Sequence, residues 1–169
     1  MKNRSASGTS TPVTIIPLLP GGHFFLRMAD LHKLIARRAY RLFVAGGRRH
    51  GHDVQDWLEA ESELLMSVPI KLCESERAVT VKATLTGCNA NDVEIHAEPL
   101  RLFISGRTQK DPKDRDAKQG SKRIFRSVDL PTQIDPSRAR ATFGNGELEI
   151  ALPTVKAERK LAAAMRAAA

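Results

Sequence analysis

The chain contains little cysteine, few aromatic residues and no long apolar run. It has 2 cysteines among 169 residues, and Cys73 and Cys88 form neither a CxxC pair nor a metal-ligand spacing. Such usage is typical of a reducing cytoplasm rather than of a disulfide-stabilised secreted fold. The best apolar stretch, residues 13–20, is interrupted by Pro17 and is far shorter than the roughly 20 residues that span a membrane. We therefore expect no membrane partner and no secretory signal.

Motifs that carry catalytic or ligand chemistry are also missing from the sequence. No Ser/His/Asp arrangement, no glycine-rich phosphate loop after a strand and no carboxylate pair in an apolar setting stands out. His50 and His52 lack a third ligand at a familiar spacing, so a turn is favoured there over a metal site. We predict that the protein is not an enzyme and that it has no catalytic residue, no cofactor and no metal.

The most obvious feature of the composition is positive charge. The sequence holds 27 Lys and Arg residues against 19 Asp and Glu residues, a net charge of +8. An acidic partner is therefore worth considering, and the alternative function is a nucleic-acid-binding or adaptor protein that uses the basic helix 33–49. Residues 30–52, however, carry a net charge of +5 and residues 53–63 carry −5. Because the basic segment has this internal counter-charge, a nucleic-acid partner is disfavoured.

Composition and periodicity divide the chain into four parts. Residues 1–28 are rich in Ser, Thr, Pro and Gly and are predicted to form a flexible N-terminal arm with one apolar island. Residues 29–66 have the three-and-four spacing of amphipathic helices and predict an αα-hairpin. In residues 68–154 the period changes to two, which predicts β-strands. Residues 155–169 form an Ala-rich tail that is expected to be a frayed helix.

The predicted hairpin carries its own start and stop signals. Asp30 and Asp53 are placed to cap the two helices, and Gly46 with Gly47 is placed to end the first. Trp57 belongs to the apolar stripe of the second helix and is expected to pack between the two helices.

Residues 68–154 predict a mainly β, antiparallel sandwich, because short strands follow one another with no helix between them. Asn145 and Gly146 separate two apolar runs and predict a tight hairpin, since both residues tolerate a positive φ. Gly87 and Gly106 follow strand-like runs, where turns are expected. The predicted strands are residues 79–85, 93–97, 100–104, 123–130, 138–143 and 147–152.

Five segments of this region follow one another as VKATLTG at 81–87, NDVEI at 91–95, LFISGR at 102–107, FRSVDLP at 125–131 and ATFGNGELEIALP at 141–153. In this order they resemble the small heat-shock protein (α-crystallin domain) family. The hairpin contains IARRAY at 35–40, Gly51 and DWLEAE at 56–61, and through them it resembles a short bacterial helical family of unknown function.

The first resemblance implies an immunoglobulin-like sandwich that acts as an ATP-independent holdase. Such a protein binds unfolded or partly unfolded client proteins and self-associates as a dimer or small oligomer. The family also has a groove between two edge strands, which accepts an Ile-x-Ile-like segment of another subunit. The simpler alternative is that the same side chains only face the sandwich core. The implied groove walls are Val93, Ile95, Ala97, Ala139, Ala141 and Phe143.

This chain departs from the family at both association elements. Its C-terminal residues 154–169 contain no Ile-x-Ile motif, so Val13 and Ile15 are the candidate groove-binding segment. Phe125 and Arg126, in the segment that resembles the family's Phe-x-Arg, are the candidate dimer contacts. The preceding loop contains no Val, Ile, Leu or aromatic residue from position 107 to 122, so a strand exchanged through it is not expected.

Overall fold

The computed structural model describes residues 10–18, 23–109 and 121–156. These residues form two helices and nine strands in the order β1, β2, α1, α2 and β3 to β9. The helices are α1 (His23–Ala45) and α2 (Asp53–Leu64). The strands are β1 (Thr11–Val13), β2 (Ile15–Pro17), β3 (Ile70–Glu74), β4 (Ala78–Thr84), β5 (Val93–Glu98), β6 (Arg101–Arg107), β7 (Arg123–Asp129), β8 (Arg140–Gly144) and β9 (Glu147–Pro153).

The strands form two sheets that face each other across an aliphatic core. One sheet has the order β1-β8-β9-β4-β3 and the other the order β2-β5-β6-β7. All pairs are antiparallel except β2 with β5. Along β9 the burial alternates strictly, so that Leu148, Ile150 and Leu152 are fully buried and the side chains between them are exposed. The predicted β-sandwich preceded by two helices is confirmed.

All six predicted strands are present, and the hairpin at Asn145 and Gly146 joins β8 to β9 with φ angles of 53° and 75°. The turn predicted at Gly106 is wrong, because this residue lies inside β6. A Cβ at Gly106 would lie 2.5 Å from the backbone oxygen of Asp92, so glycine is required there by close approach of another backbone segment. Strands β1, β2 and β3 were not among the predicted strands.

The helical hairpin differs from the prediction at both helix starts. Helix α1 begins at His23, because the apolar spacing that holds Ile35 and Leu31 continues back to Phe24, and Asp30 therefore lies inside the helix. Asp53 is the first residue of α2 rather than its cap, and no side chain caps that helix by a hydrogen bond.

The end of α1 and the interior of the hairpin agree with the prediction. Gly47 has a φ of 79°, and the next residue, Arg48, donates its backbone N–H to the oxygen of Phe43 at 2.9 Å. Trp57 is half-buried, with its ring 4.8 Å from that of His32. The small core between the helices consists of Leu31, Ile35, Ala39 and Ala60, all buried.

The arm predicted over residues 1–28 is not unstructured where it is described, because residues 11–17 form β1 and β2 and α1 starts at residue 23. Most of the Ala-rich tail and the middle of the 107–122 loop lie outside the described residues. No helix of the described ranges is long and apolar enough to cross a membrane.

Candidate functional site: a groove between two sheet edges

Five of the six predicted groove residues line the inner side of two neighbouring sheet edges. Val93, Ile95 and Ala97 alternate along β5 and are buried. Ala141 and Phe143 are buried on β8 in the opposite sheet. All five are buried in the sandwich core, on the two strands that pair with residues 11–17. The sixth, Ala139, is half-buried and directly precedes β8.

The two edges are covered by residues 11–17, which we call the strap. On one side β1 pairs antiparallel with β8, with Val13 opposite Ala141. On the other side β2 pairs in parallel with β5, with Ile15 opposite Ile95. Only Thr14 separates the two short strands, so the chain passes directly from the edge of one sheet to the edge of the other.

The side chains of the strap explain how it sits on this groove. Val13 and Ile15 are half-buried and pack against the sandwich core, whereas Thr14 between them is exposed. Alternation along an extended segment places residues two apart on the same side. After the strap, the N–H of Leu18 donates to the oxygen of Ala97 at 3.1 Å. The structure therefore brings the predicted groove walls and the predicted groove-binding segment together within one chain.

A second surface lies on the outer side of the sheet β2-β5-β6-β7 and is not among the predicted sites. His96, Phe103 and Phe125 project there from β5, β6 and β7, and we call them the aromatic patch. Phe24 at the start of α1 covers this patch, with ring centroids 4.8 Å from His96, 4.8 Å from Phe103 and 6.3 Å from Phe125. The signal in the sequence was an aromatic residue at an outward position of successive strands.

The two candidate dimer contacts have different surroundings. Phe125 is half-buried and packs against the hairpin core as well as under Phe24, whereas Arg126 is exposed. A dimer contact through Phe125 would therefore require α1 to move away from the sheet.

Charged groups surround the contact between α1 and the sheet. Arg27 of α1 donates a hydrogen bond to Glu94 of β5, which lowers the pKa of that carboxyl group. His96 is 7% exposed, and burial lowers its pKa. Its Nε2 atom is 3.6 Å from the nearer oxygen of Glu94, which is too far for a hydrogen bond. Glu94 favours the protonated form of His96, but burial opposes it more strongly, so the pKa of His96 is lowered overall.

A crevice of about 420 Å³ remains between α1 and the outer face of the sheet. Its floor includes Ser105 and Gly106, and its rim carries both acidic and basic side chains. Burial and the neighbouring Arg107 lower the pKa of Arg123 at this rim. Among the described residues, no group of three or more His, Cys, Asp or Glu side chains is arranged to hold a metal ion. The α1 residues that line this crevice, from Phe24 to Leu31, all belong to the first turns of the helix.

Comparison with known proteins assigns the sandwich to a family. The model of the Hsp20/alpha crystallin family matches residues 71–166, which is more than half of the chain. The chain belongs to the Hsp20/alpha crystallin family. A second model, described as "Protein of unknown function (DUF2934)", matches residues 30–65 of this Hsp20 protein and thus corresponds to the helical hairpin.

Individual relatives agree with the family assignment. Heat shock protein 16 of Schizosaccharomyces pombe is 32% identical over 98 residues, which are 54% of this chain and 68% of that protein. The mitochondrial 26.2 kDa heat shock protein of Oryza sativa subsp. japonica is 33% identical over 84 residues, which are 49% of this chain and 34% of that protein. The solved structure of heat shock protein 16.0 from S. pombe is 28% identical, with a TM-score of 0.49 over 54% of this chain and 68% of its own.

Proposed function

We propose that this chain is an ATP-independent holdase that acts in the cytoplasm and binds partly unfolded proteins in the groove between β5 and β8. Membership of the Hsp20/alpha crystallin family supports a chaperone role. The observation that carries the assignment of the site is the strap, because an extended apolar segment already bridges the two sheet edges. An unfolded client offers segments of the same kind. No catalytic step is involved in this role.

Binding at these edges would combine two kinds of contact. Backbone N–H and C=O groups of an edge strand pair with any extended segment, so affinity does not depend on a particular client sequence. The buried walls would accept apolar side chains two residues apart, as Val13 and Ile15 are. Together these contacts select extended, apolar segments, which folded proteins do not expose and partly unfolded proteins do.

The strap would compete with clients for the groove. Each of its two strands has three residues, and Val13 and Ile15 are only half-buried. Half-burial of two such side chains corresponds to about 2 kcal/mol, before the cost of ordering the segment. At that free energy on the order of one molecule in thirty would have an open groove. The apparent affinity for clients would be reduced by the same factor.

A disulfide lock tests the groove directly. Pro12 and Thr142 are paired in register and both exposed, so Pro12→Cys with Thr142→Cys allows the strap to be closed by oxidation and released by reduction. The lock is made in a Cys73→Ser background, because Cys73 is also exposed. Aggregation of heated citrate synthase and of an unrelated client, without ATP, is followed by light scattering.

We expect the oxidised protein to protect clients less than the reduced protein, and the Val13→Asp/Ile15→Asp variant to protect them more than the wild type. Thr14→Asp is the matched control, because Thr14 is exposed between the two positions. Protection that is the same in the oxidised and reduced states would refute the groove. Failure of every form to protect any client would refute the holdase function itself.

A further inference from the structure

The solvent-facing side of α1 is a basic stripe that nothing in the described chain covers. Lys33, Arg37, Tyr40, Arg41 and Val44 follow one another at three-and-four spacing, and all five are exposed. Tyr40 is 62% exposed and Val44 is 40% exposed. No described residue lies within ion-pair distance of Arg37 or Arg41. Lys33 lies 3.8 Å from Asp30, so the stripe combines apolar side chains with the unneutralised charges of Arg37 and Arg41.

Helix α2 has the opposite character. Its charged side chains are all acidic, and within the described chain only Glu63 has an ion-pair partner, Arg38 at 2.9 Å. Val54 and Leu58, one turn apart, are 73% and 57% exposed. Exposed apolar residues amid charge of one sign are typical of a surface that contacts another protein. The contact between α1 and α2 uses other side chains, so these residues are available.

Two elements of the sandwich are less suited to association in this chain. The strap occupies the edges at β5 and β8. The loop from 107 to 122 contains no Val, Ile, Leu or aromatic residue with which an exchanged strand could pack. The strands β3 and β7 remain at the ends of the two sheets, and the hairpin offers a further surface with exposed apolar and charged side chains.

We propose that the helical hairpin is a self-association surface, on which the basic stripe of α1 in one copy binds the acidic helix α2 of a second copy. Charge complementarity is the reason for choosing a second copy as the binding partner. Residues 30–52 carry +5 and residues 53–63 carry −5, so one copy supplies what the other lacks. A nucleic acid would meet the attraction of α1 together with the repulsion of α2. A second copy satisfies both helices.

Reversal of charge on each helix in turn tests this contact in the full-length chain. The α1 variant is Arg37→Glu/Arg41→Glu, and the α2 variant is Glu59→Lys/Glu61→Lys, which changes the residues flanking Leu58. Sedimentation or mass photometry at low salt measures the association constant. We expect each variant alone to lose at least tenfold in that constant, because like charges then face each other.

Mixing distinguishes a specific contact from a general charge effect. An equimolar mixture of the two variants pairs an acidic α1 with a basic α2, and wild-type α1 with wild-type α2, so association should return to within about threefold of the wild type. A chain with all four substitutions should also recover. Lys71→Glu/Arg77→Glu is the matched control for the α1 variant, because it makes the same charge change at exposed positions of the sandwich. This control should leave association unchanged.

Equal masses for all variants, or a mixture that fails to recover, would overturn the proposal. So would binding of an RNA oligonucleotide that is strongly salt-dependent and lost in the α1 variant while self-association is kept. Because this experiment measures the mass of the assembly, its outcome is independent of whether the protein protects clients.

Discussion

Replacement of Phe24 by alanine should release the hairpin from the sandwich without unfolding the sandwich. Phe24 is 5% exposed, and its ring contacts all three residues of the aromatic patch. It is the first large apolar residue of α1 and joins the start of this helix to the sheet, while Phe125 also packs against the hairpin core. Arg27 adds an ion pair with Glu94, in which the side chain of Arg27 is exposed and that of Glu94 is half-buried.

The magnitude follows from the burial. Removing a buried phenylalanine ring costs about 1.5–3 kcal/mol in transfer free energy. Each aromatic contact adds about 0.5–1.5 kcal/mol. The exposed ion pair contributes at most about 1 kcal/mol. We therefore expect Phe24→Ala to weaken docking of the hairpin by at least about 3 kcal/mol, which is on the order of a hundredfold or more in the ratio of docked to undocked hairpin.

Hydrogen exchange measures this change element by element. Protection of the α1 and α2 amides should fall by on the order of a hundredfold, because a short helical pair without tertiary contacts is marginal in water. Protection in β9 should be unchanged. Phe25→Ala is the matched control, since Phe25 is the next residue and is 45% exposed. Unchanged protection in α1, or an equal loss in β9, would refute separate docking of the hairpin.

Two further predictions concern the sheet beneath α1. Gly106→Ala should lower the free energy of unfolding by about 1–3 kcal/mol in urea titrations, because its Cβ would lie 2.5 Å from the backbone oxygen of Asp92; a neutral effect would show that the strands move apart freely. Stability should also fall as the pH decreases below about 6.5, since burial lowers the pKa of His96 and the unfolded chain then binds a proton that the folded chain does not. A second loss follows below about pH 4.5 as Glu94, whose pKa is lowered, is protonated. His96→Gln should remove the first loss, whereas His23→Gln, at an exposed position, should not. Identical urea midpoints at pH 7.5 and 5.5 in the wild type would contradict the assignment of the first loss to His96.

The sandwich could be predicted from the sequence because its determinants are local. Alternation along 147–152 and the Asn145–Gly146 turn specify two strands and their connection without knowledge of the rest of the chain. The helical stripe of the hairpin is equally local, although Asp30 is a typical cap residue and therefore predicts a helix start that is too late. The spacing of Phe24, Leu31 and Ile35 contains the missing turn.

Other features depend on contacts between distant segments and have no local signature. The strap consists of strands of three residues, and its conformation is determined by the edges of β5 and β8 rather than by its own propensity. Proline and glycine around it predict a flexible arm until those edges are considered. The requirement for glycine at position 106 likewise comes from the approach of Asp92, fourteen residues earlier in the chain.

The distribution of burial indicates the order in which this molecule should open. The sandwich core contains nineteen of the described buried residues, whereas the hairpin core contains four. Stabilisation by apolar burial scales with the area removed from water, so the sandwich remains folded under conditions in which the hairpin and the strap are already released. Release of the strap exposes the groove, and release of α1 exposes the aromatic patch. We therefore expect moderate stress to uncover two apolar surfaces on an intact scaffold, which is the behaviour that the proposed holdase function requires.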